Sequence, residues 1–429
     1  MTVNELKTIL EDQREEFLSL RGEELIYRPE EEQLSLNSHL AQVVIGVRRS
    51  GKSTLCADFL LRNAEQCAVV NFDDDRLFNM HSDDLNRLLE TIYIIYNNPK
   101  YLFFDEIQNI EAWPLFVNRL LRQHKHIFLS GSNAHLLSNE LITHLTGRHN
   151  VVTLFPFSFR DFCTMRGVDI SSHSTHAMAM RTRAMADYME QGGFPELMHE
   201  KNKHRYIESL VEKVVRVDIA RRFRIRHIET LRNMADYLMD NYAHEFAPKR
   251  VSEIFGISSH TAENYYSHLK EAFLLIGIPL FSFKSRERLR HEKVYLTDVA
   301  FANFRQSTPT TANLGWRLEN IVCVELLRRC TPQFANIYYY KDRSHEIDFV
   351  VAKNGKVEEL VQICYALTND KTRTREINAL TECSKKLHCD KLTIVTMYDS
   401  EEVEHKGLPV HIRPIAEWIL EKNPANESV

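Results

Sequence analysis

The sequence predicts an α/β fold built on a phosphate-loop domain with a parallel sheet, and three observations carry that expectation. Residues 46–54, Gly46-Val47-Arg48-Arg49-Ser50-Gly51-Lys52-Ser53-Thr54, match the pattern G-x-x-x-x-G-K-[ST] between an apolar run at Ala41–Ile45 and a helical stripe at Leu55, Phe59 and Leu60. Strand-like and helix-like segments then alternate, which implies a parallel sheet covered on both faces. Far downstream, a helix over 315–322 precedes three further strand patterns, so the chain also carries a C-terminal α/β region.

At 429 residues the chain is long enough for about three domains, and the expected division is 1–160, 161–310 and 311–429. A hydrophobic fraction of 44% and a charged fraction of 26% describe an ordinary globular protein and exclude a disordered chain. No apolar run reaches the roughly 20 residues that span a bilayer, and the first residues lack a signal-peptide layout, so the expected compartment is the cytoplasm with no membrane partner. Eight cysteines without a C-x-x-C pair are expected to be reduced and mostly buried. A net charge of −5 argues against a surface built to coat nucleic acid but allows a local basic patch.

Taken in order, residues 4–33 give an amphipathic helix through Leu6, Ile9, Leu10, Phe17, Leu18 and Leu20, expected to brace the nucleotide domain. The phosphate loop follows. Its glycines let backbone N–H groups turn inward, Lys52 reaches the outer phosphates, Ser53 can ligate magnesium, and a helix starting at Lys52 adds its positive end. Residues 67–72 read as a strand ending in Asp73-Asp74-Asp75, and 85–96 as a helix. Tyr101–Asp105 followed by Glu106 is a Walker B strand: Asp105 would hold hydrated magnesium beside the loop, and Glu106 would position the attacking water. The next strand, 126–130, ends in Gly131-Ser132-Asn133. Asn133 or Ser130 there can read the γ-phosphate or the water; alternatively Ser132 or Asn133 caps a helix through Leu136 and Leu137. Arg148 can supply transition-state charge in its own subunit or a neighbour's, which would imply a homo-oligomer, or it is a surface arginine.

Several stretches together resemble a known family. They are Gly46 to Thr54, Phe104-Asp105-Glu106-Ile107-Gln108, Ser130-Gly131-Ser132-Asn133-Ala134, Leu145-Thr146-Gly147-Arg148, Pro156-Phe157-Ser158-Phe159 and Gly192-Gly193-Phe194-Pro195-Glu196. The chain is similar to AAA-superfamily ATPases of bacteria and archaea whose C-terminal half carries a domain of unknown function with a restriction-endonuclease-like core. The resemblance implies an AAA-type core, a polar sensor after the fourth strand, then helices and a winged helix.

Residues 176–240 have helical periodicity broken at Gly192-Gly193-Phe194-Pro195. Within them residues 216–227 form a basic cluster that meets nucleic acid or an acidic partner, or is a solvated helix face. Residues 251–266 have a helix-turn-helix layout, although Glu263 and Glu271 against a lone Lys270 leave the second helix without a basic face. The stretch 284–293 is basic and suits a wing touching DNA backbone, while use of the module as a lid or protein-docking surface suits the acidic helix better.

The order of helix and strands after residue 310 resembles the restriction-endonuclease fold, whose active members place a helix Glu, a strand Asp and an E-x-K pair around magnesium. Glu319 and Asp348 match the first two positions, but Gln362 and Cys364 occupy the others. An amide lacks carboxylate charge and a thiol cannot replace a protonated lysine, so metal-dependent cleavage is not expected. The expected function is therefore that of an ATP-binding ATPase with slow or conditional magnesium-dependent hydrolysis. It would be coupled to rearrangement of the winged-helix and nuclease-like regions. The alternatives are a nucleotide-gated module that grasps DNA or protein without sustained turnover, and an ATP-gated nuclease.

Overall fold

The structure is a computed structural model that describes residues 1–132, 145, 147–282, 284–288, 291–305 and 313–421. The chain divides into two compact units, residues 1–154 with 271–273, and residues 155–270 with 274 onward.

In the first unit, strands β1 (Ala41–Ile45), β2 (Cys67–Asn71), β3 (Tyr101–Asp105), β4 (His126–Gly131) and β5 (His149–Thr153) form one sheet in the order β2-β3-β4-β1-β5. Every neighbouring pair is parallel. The apolar runs are continuous because each strand is buried on both faces. Val43 and Ile45 of β1, Leu102 and Phe104 of β3, and Ile127 and Leu129 of β4 enter one core layer. The residues between them, Val44, Phe103 and Phe128, enter the other.

Helix α1 (Val3–Ser19) packs Leu6, Ile9 and Leu10 into the first layer, together with α3 (Leu85–Tyr96) and α4 (Trp113–Arg122). Helix α2 (Lys52–Asn63) packs Leu55, Phe59 and Leu60 into the second. A capping box at Thr2 and Glu5 starts α1, and Gln13 donates to Asn71 O at 3.1 Å and to Asp74 at 3.0 Å. The N-terminal helix is thus a brace whose polar residue ties down the end of β2.

The second unit carries a small antiparallel sheet, β6 (His244–Glu245), β8 (Glu292–Leu296) and β7 (Leu275–Pro279) in that order. Between β6 and β7 lie the helices Pro248–Phe255 and Ser259–Glu271, the first of which ends at Gly256 with φ 63°. A six-stranded sheet runs β13 (Glu401–His405), β14 (Leu408–Pro414), β12 (Leu392–Thr396), β11 (Lys356–Ile363), β10 (Glu346–Lys353) and β9 (Asn336–Lys341). The β11, β12 and β14 neighbours are parallel and the rest antiparallel.

The second compact unit holds both the middle and the C-terminal regions. Backbone pairing helps join them: just past β7, Leu280 bridges Tyr339 of β9, and Phe281 N–H donates to Tyr339 O at 2.6 Å. Ion pairs between the two sheets, described below, add to the join. The eight cysteines are free thiols, six of them buried. No helix among the described residues is long and apolar enough to cross a membrane.

Candidate active site

The parallel order places the C-terminal ends of β1, β4 and β3 side by side, with the phosphate loop leaving β1. Gly46 must be glycine on steric grounds: a Cβ there would lie 2.1 Å from Leu154 O, and φ is 153°. Gly51, at φ 94°, turns the chain into α2, which begins at Lys52 and so directs its N-terminal N–H groups at the loop. Arg49 adopts φ 66°, a conformation that non-glycine residues seldom hold outside functional turns. Lys52 is 5% exposed and donates to Val47 O at 2.9 Å. Arg48 pairs with Asp73 at 3.6 Å, and Arg28 donates to Ser50 O at 3.5 Å. The Ser50 hydroxyl is buried with no hydrogen-bond partner among the described residues.

Asp105 ends β3 beside the loop. Ser130 of β4 donates to it, and the Ser53 hydroxyl also bonds it. Burial first and the neighbouring Glu106 second push its carboxyl up to about 6, against the pull of the two hydroxyls and Lys52. A desolvated carboxylate touching the serine at the loop's end is the oxygen pair that magnesium requires, so the residues fit that ion. Glu106 sits at φ 51° just past the strand. Its carboxylate accepts from the Gln108 side-chain amide, and from Ser132 N at 3.4 Å and Ser132 Oγ at 3.3 Å.

The structure thus brings Lys52, Ser53, Asp105 and Glu106 together. Asn133, together with the helix expected through Leu136 and Leu137, lies outside the described residues. Ser130, considered as a phosphate sensor, instead bonds Asp105. Ser132 and Gln108, which hold Glu106, went unassigned as its partners; the Asp-Glu-x-Gln spacing of 105–108 was the available signal. Arg148 lies apart from these residues. It immediately precedes β5, whose first residue pairs with Ala41 at the start of β1. The phosphate loop leaves the opposite end of β1, roughly 16 Å away at about 3.3 Å per residue. Arg148 is exposed and stands at the end of β1 opposite the loop of its own chain.

The second expected site is also assembled, with a different membership. Glu319 on the helix Leu314–Cys330, Asp348 on β10 and Gln362 on β11 converge; Asp348 N–H donates to Gln362 at 3.4 Å, and Asp348 accepts from Ile363 N–H at 2.9 Å. Cys364 donates to Ala366 O at 3.2 Å. Glu359 does not compensate for the missing carboxylate, because Thr393 at 2.7 Å and Lys391 at 2.7 Å hold it.

Lys293 enters from β8: its ammonium lies 2.6 Å from Glu346, 3.7 Å from Glu319 and 3.8 Å from Asp348. Tyr295, two residues along the same strand face, donates to Glu319 at 2.6 Å. Burial pushes Glu319 up and Asp348 well up, against the pull of Lys293. Lys293, placed in a basic wing by the sequence, is thus 4% exposed and bound to carboxylates. Lys270 likewise pairs with Glu292 at 2.6 Å, and Arg216 of the basic cluster pairs with Glu229 at 2.9 Å and with Glu212. Asp342, His345 and Cys383 also approach one another, but Asp342 already accepts from Ser344 and His345 N–H and from Lys386.

The sheet order and the loop geometry define an AAA-type P-loop domain. Residues 38–163 match the model of an AAA domain, while 182–312 and 314–417 match two domains of unknown function. The chain is 30% identical over 404 residues to the uncharacterized protein MJ1544 of Methanocaldococcus jannaschii, covering 90% of each, and it belongs to that protein's family. An uncharacterized protein of Haemophilus influenzae is 28% identical over 396 residues, covering 89% of this chain and 94% of its own. Among solved structures, a Walker-type ATPase of Pyrococcus abyssi aligns at 15% identity with a TM-score of 0.42, covering 66% of this chain and 96% of that one.

Proposed function

We propose that this protein binds ATP at residues 46–54 and hydrolyses it with magnesium, slowly or only when triggered. Lys52 and the loop N–H groups would hold the phosphates, Ser53 and Asp105 would hold the ion, and Glu106 would orient the water. The observation that carries this reading is the Ser53–Asp105–Ser130 cluster beside a buried Lys52, because a desolvated carboxylate there gains most from a divalent cation. When bound, magnesium would supply charge neutralisation at the phosphates.

Restraint on turnover is supported by the bonds that Gln108 and Ser132 make to Glu106. A base already accepting these donors must release them to take a water proton. The same bonds favour, as second reading, a nucleotide-gated module that grips a DNA or protein partner without sustained turnover. In either reading, the nucleotide state would be coupled to the helix-turn-helix and C-terminal regions. ATP-gated cleavage of DNA is disfavoured by Gln362 and Cys364. Equilibrium binding of labelled ATP tests the site: Lys52→Ala should abolish it, and binding unchanged in that variant would remove the assignment.

A further inference from the structure

The geometry points to Lys293 as the resident cation of the C-terminal carboxylate pocket, an ammonium from the β7–β8 hairpin that stands where Glu319, Glu346 and Asp348 would otherwise draw a divalent ion. The three carboxylates come from one helix and one strand of the C-terminal region, whereas the lysine comes from the small sheet. All three lie within 3.8 Å of the ammonium. Each also has a second protein donor: Tyr295 for Glu319, Ile363 N–H for Asp348, and Lys341 at 3.4 Å for Glu346. The set is therefore satisfied without a metal. A hard divalent ion demands several oxygen ligands and retained waters, which a pocket holding a buried ammonium does not offer.

Burial also decides between a latch and a catalytic lysine. A phosphodiester must reach both the carboxylates and the amine, yet Lys293 is 5% exposed and the Glu319 and Asp348 side chains 12% each. Removing one partner of a buried pair leaves an uncompensated charge, so this cluster fastens the hairpin to the six-stranded sheet. The role is independent of ATP at Lys52.

The test is manganese binding followed by electron paramagnetic resonance, using the full chain without nucleotide and with Asp105→Asn to silence the phosphate site. With Lys293 present, no manganese should bind in a manner that depends on Asp348. Lys293→Met should gain one ion per chain, at least about tenfold tighter than the parent, and lose it again on adding Asp348→Asn. Manganese held in the Lys293 chain and lost with Asp348→Asn would overturn the proposal, and this arm depends on no change at Lys293. A folded Lys293→Met that gains no ion would overturn it too. Should Lys293→Met not fold, the charge-compensated Lys293→Met with Glu346→Gln and Asp348→Asn should recover folding. Failure to recover, while Lys293→Arg folds normally, would also count against the neutralising role. Amide exchange across 275–296 should accelerate in whichever folded variant lacks the cation and stay at the parent rate in Lys293→Arg; unchanged exchange without the cation would contradict the fastening.

Discussion

A carboxylate at the end of a buried strand loses its water and must regain solvation from neighbours or from an ion. Asp105 has two serine hydroxyls and is still pushed up to about 6. Glu106, one residue on, is instead tied by Gln108 and Ser132. A hydrogen bond from a neutral amide to a carboxylate is worth about 1.5 kcal/mol or more, roughly tenfold in an equilibrium. Gln108→Leu should therefore raise basal phosphate release several-fold; a rate at or below the parent's would show that Gln108 does not restrain Glu106.

Asp298 shows the same physics away from the nucleotide. It is buried, accepts from Gly193 and Ala300 N–H at 2.8 Å each, and is pushed up to about 6 by burial. A carboxyl whose folded value exceeds its unfolded value of 3.8 stabilises most below that value, and this contribution is lost as pH rises through about 6. Relative to Asp298→Asn, the parent should therefore lose roughly 2 to 3 kcal/mol of stability between pH 4 and pH 7. Urea unfolding of both proteins across that range checks it, and a constant difference would contradict it.

At the scale of elements, what one segment or a recurring pair of motifs encodes was readable, and what packing alone brings together was not. Strands β1, β3 and β4 announce themselves as unbroken apolar runs because both faces meet core layers. The stripe at Leu6, Ile9 and Leu10 likewise marks α1, and only Leu18, 38% exposed, falls off the buried face. The loop residues were legible because the loop is local. The Lys293 ion cluster was not, since its position depends on the packing of β8 against β10 and the helix Leu314–Cys330. From sequence, Lys293 is one more cation in a basic stretch. Ser132 was hidden for the same reason, its contact with Glu106 being fixed by the β3–β4 register, whereas Gln108 stands only two residues from Glu106. Gly46→Ala tests a local constraint: its Cβ would meet Leu154 O, so β1 and β5 must separate. We expect soluble yield or ATP affinity to fall at least tenfold, and a normal nucleotide-binding protein would contradict the steric argument.

For the whole molecule, the hairpin that closes the middle region is paired and ion-paired to the C-terminal sheet, and the two regions lie in one compact unit. Arg148 lies at the far end of its own sheet, so any role in hydrolysis must be played toward another copy of the chain. If so, Arg148→Ala and Lys52→Ala, each inactive alone, should regain turnover when mixed. Full activity in Arg148→Ala would leave it a surface arginine.

The central claim, that the loop and the two carboxylates of 105–106 hydrolyse ATP, is tested most directly by magnesium-dependent phosphate release measured beside ATP binding in the parent and in Glu106→Gln. The parent should release phosphate over many turnovers, and the variant should bind ATP with similar affinity while turning over at least about 100-fold more slowly. Equal rates in the two proteins, or bound ATP that the parent never hydrolyses under any magnesium concentration, would contradict it.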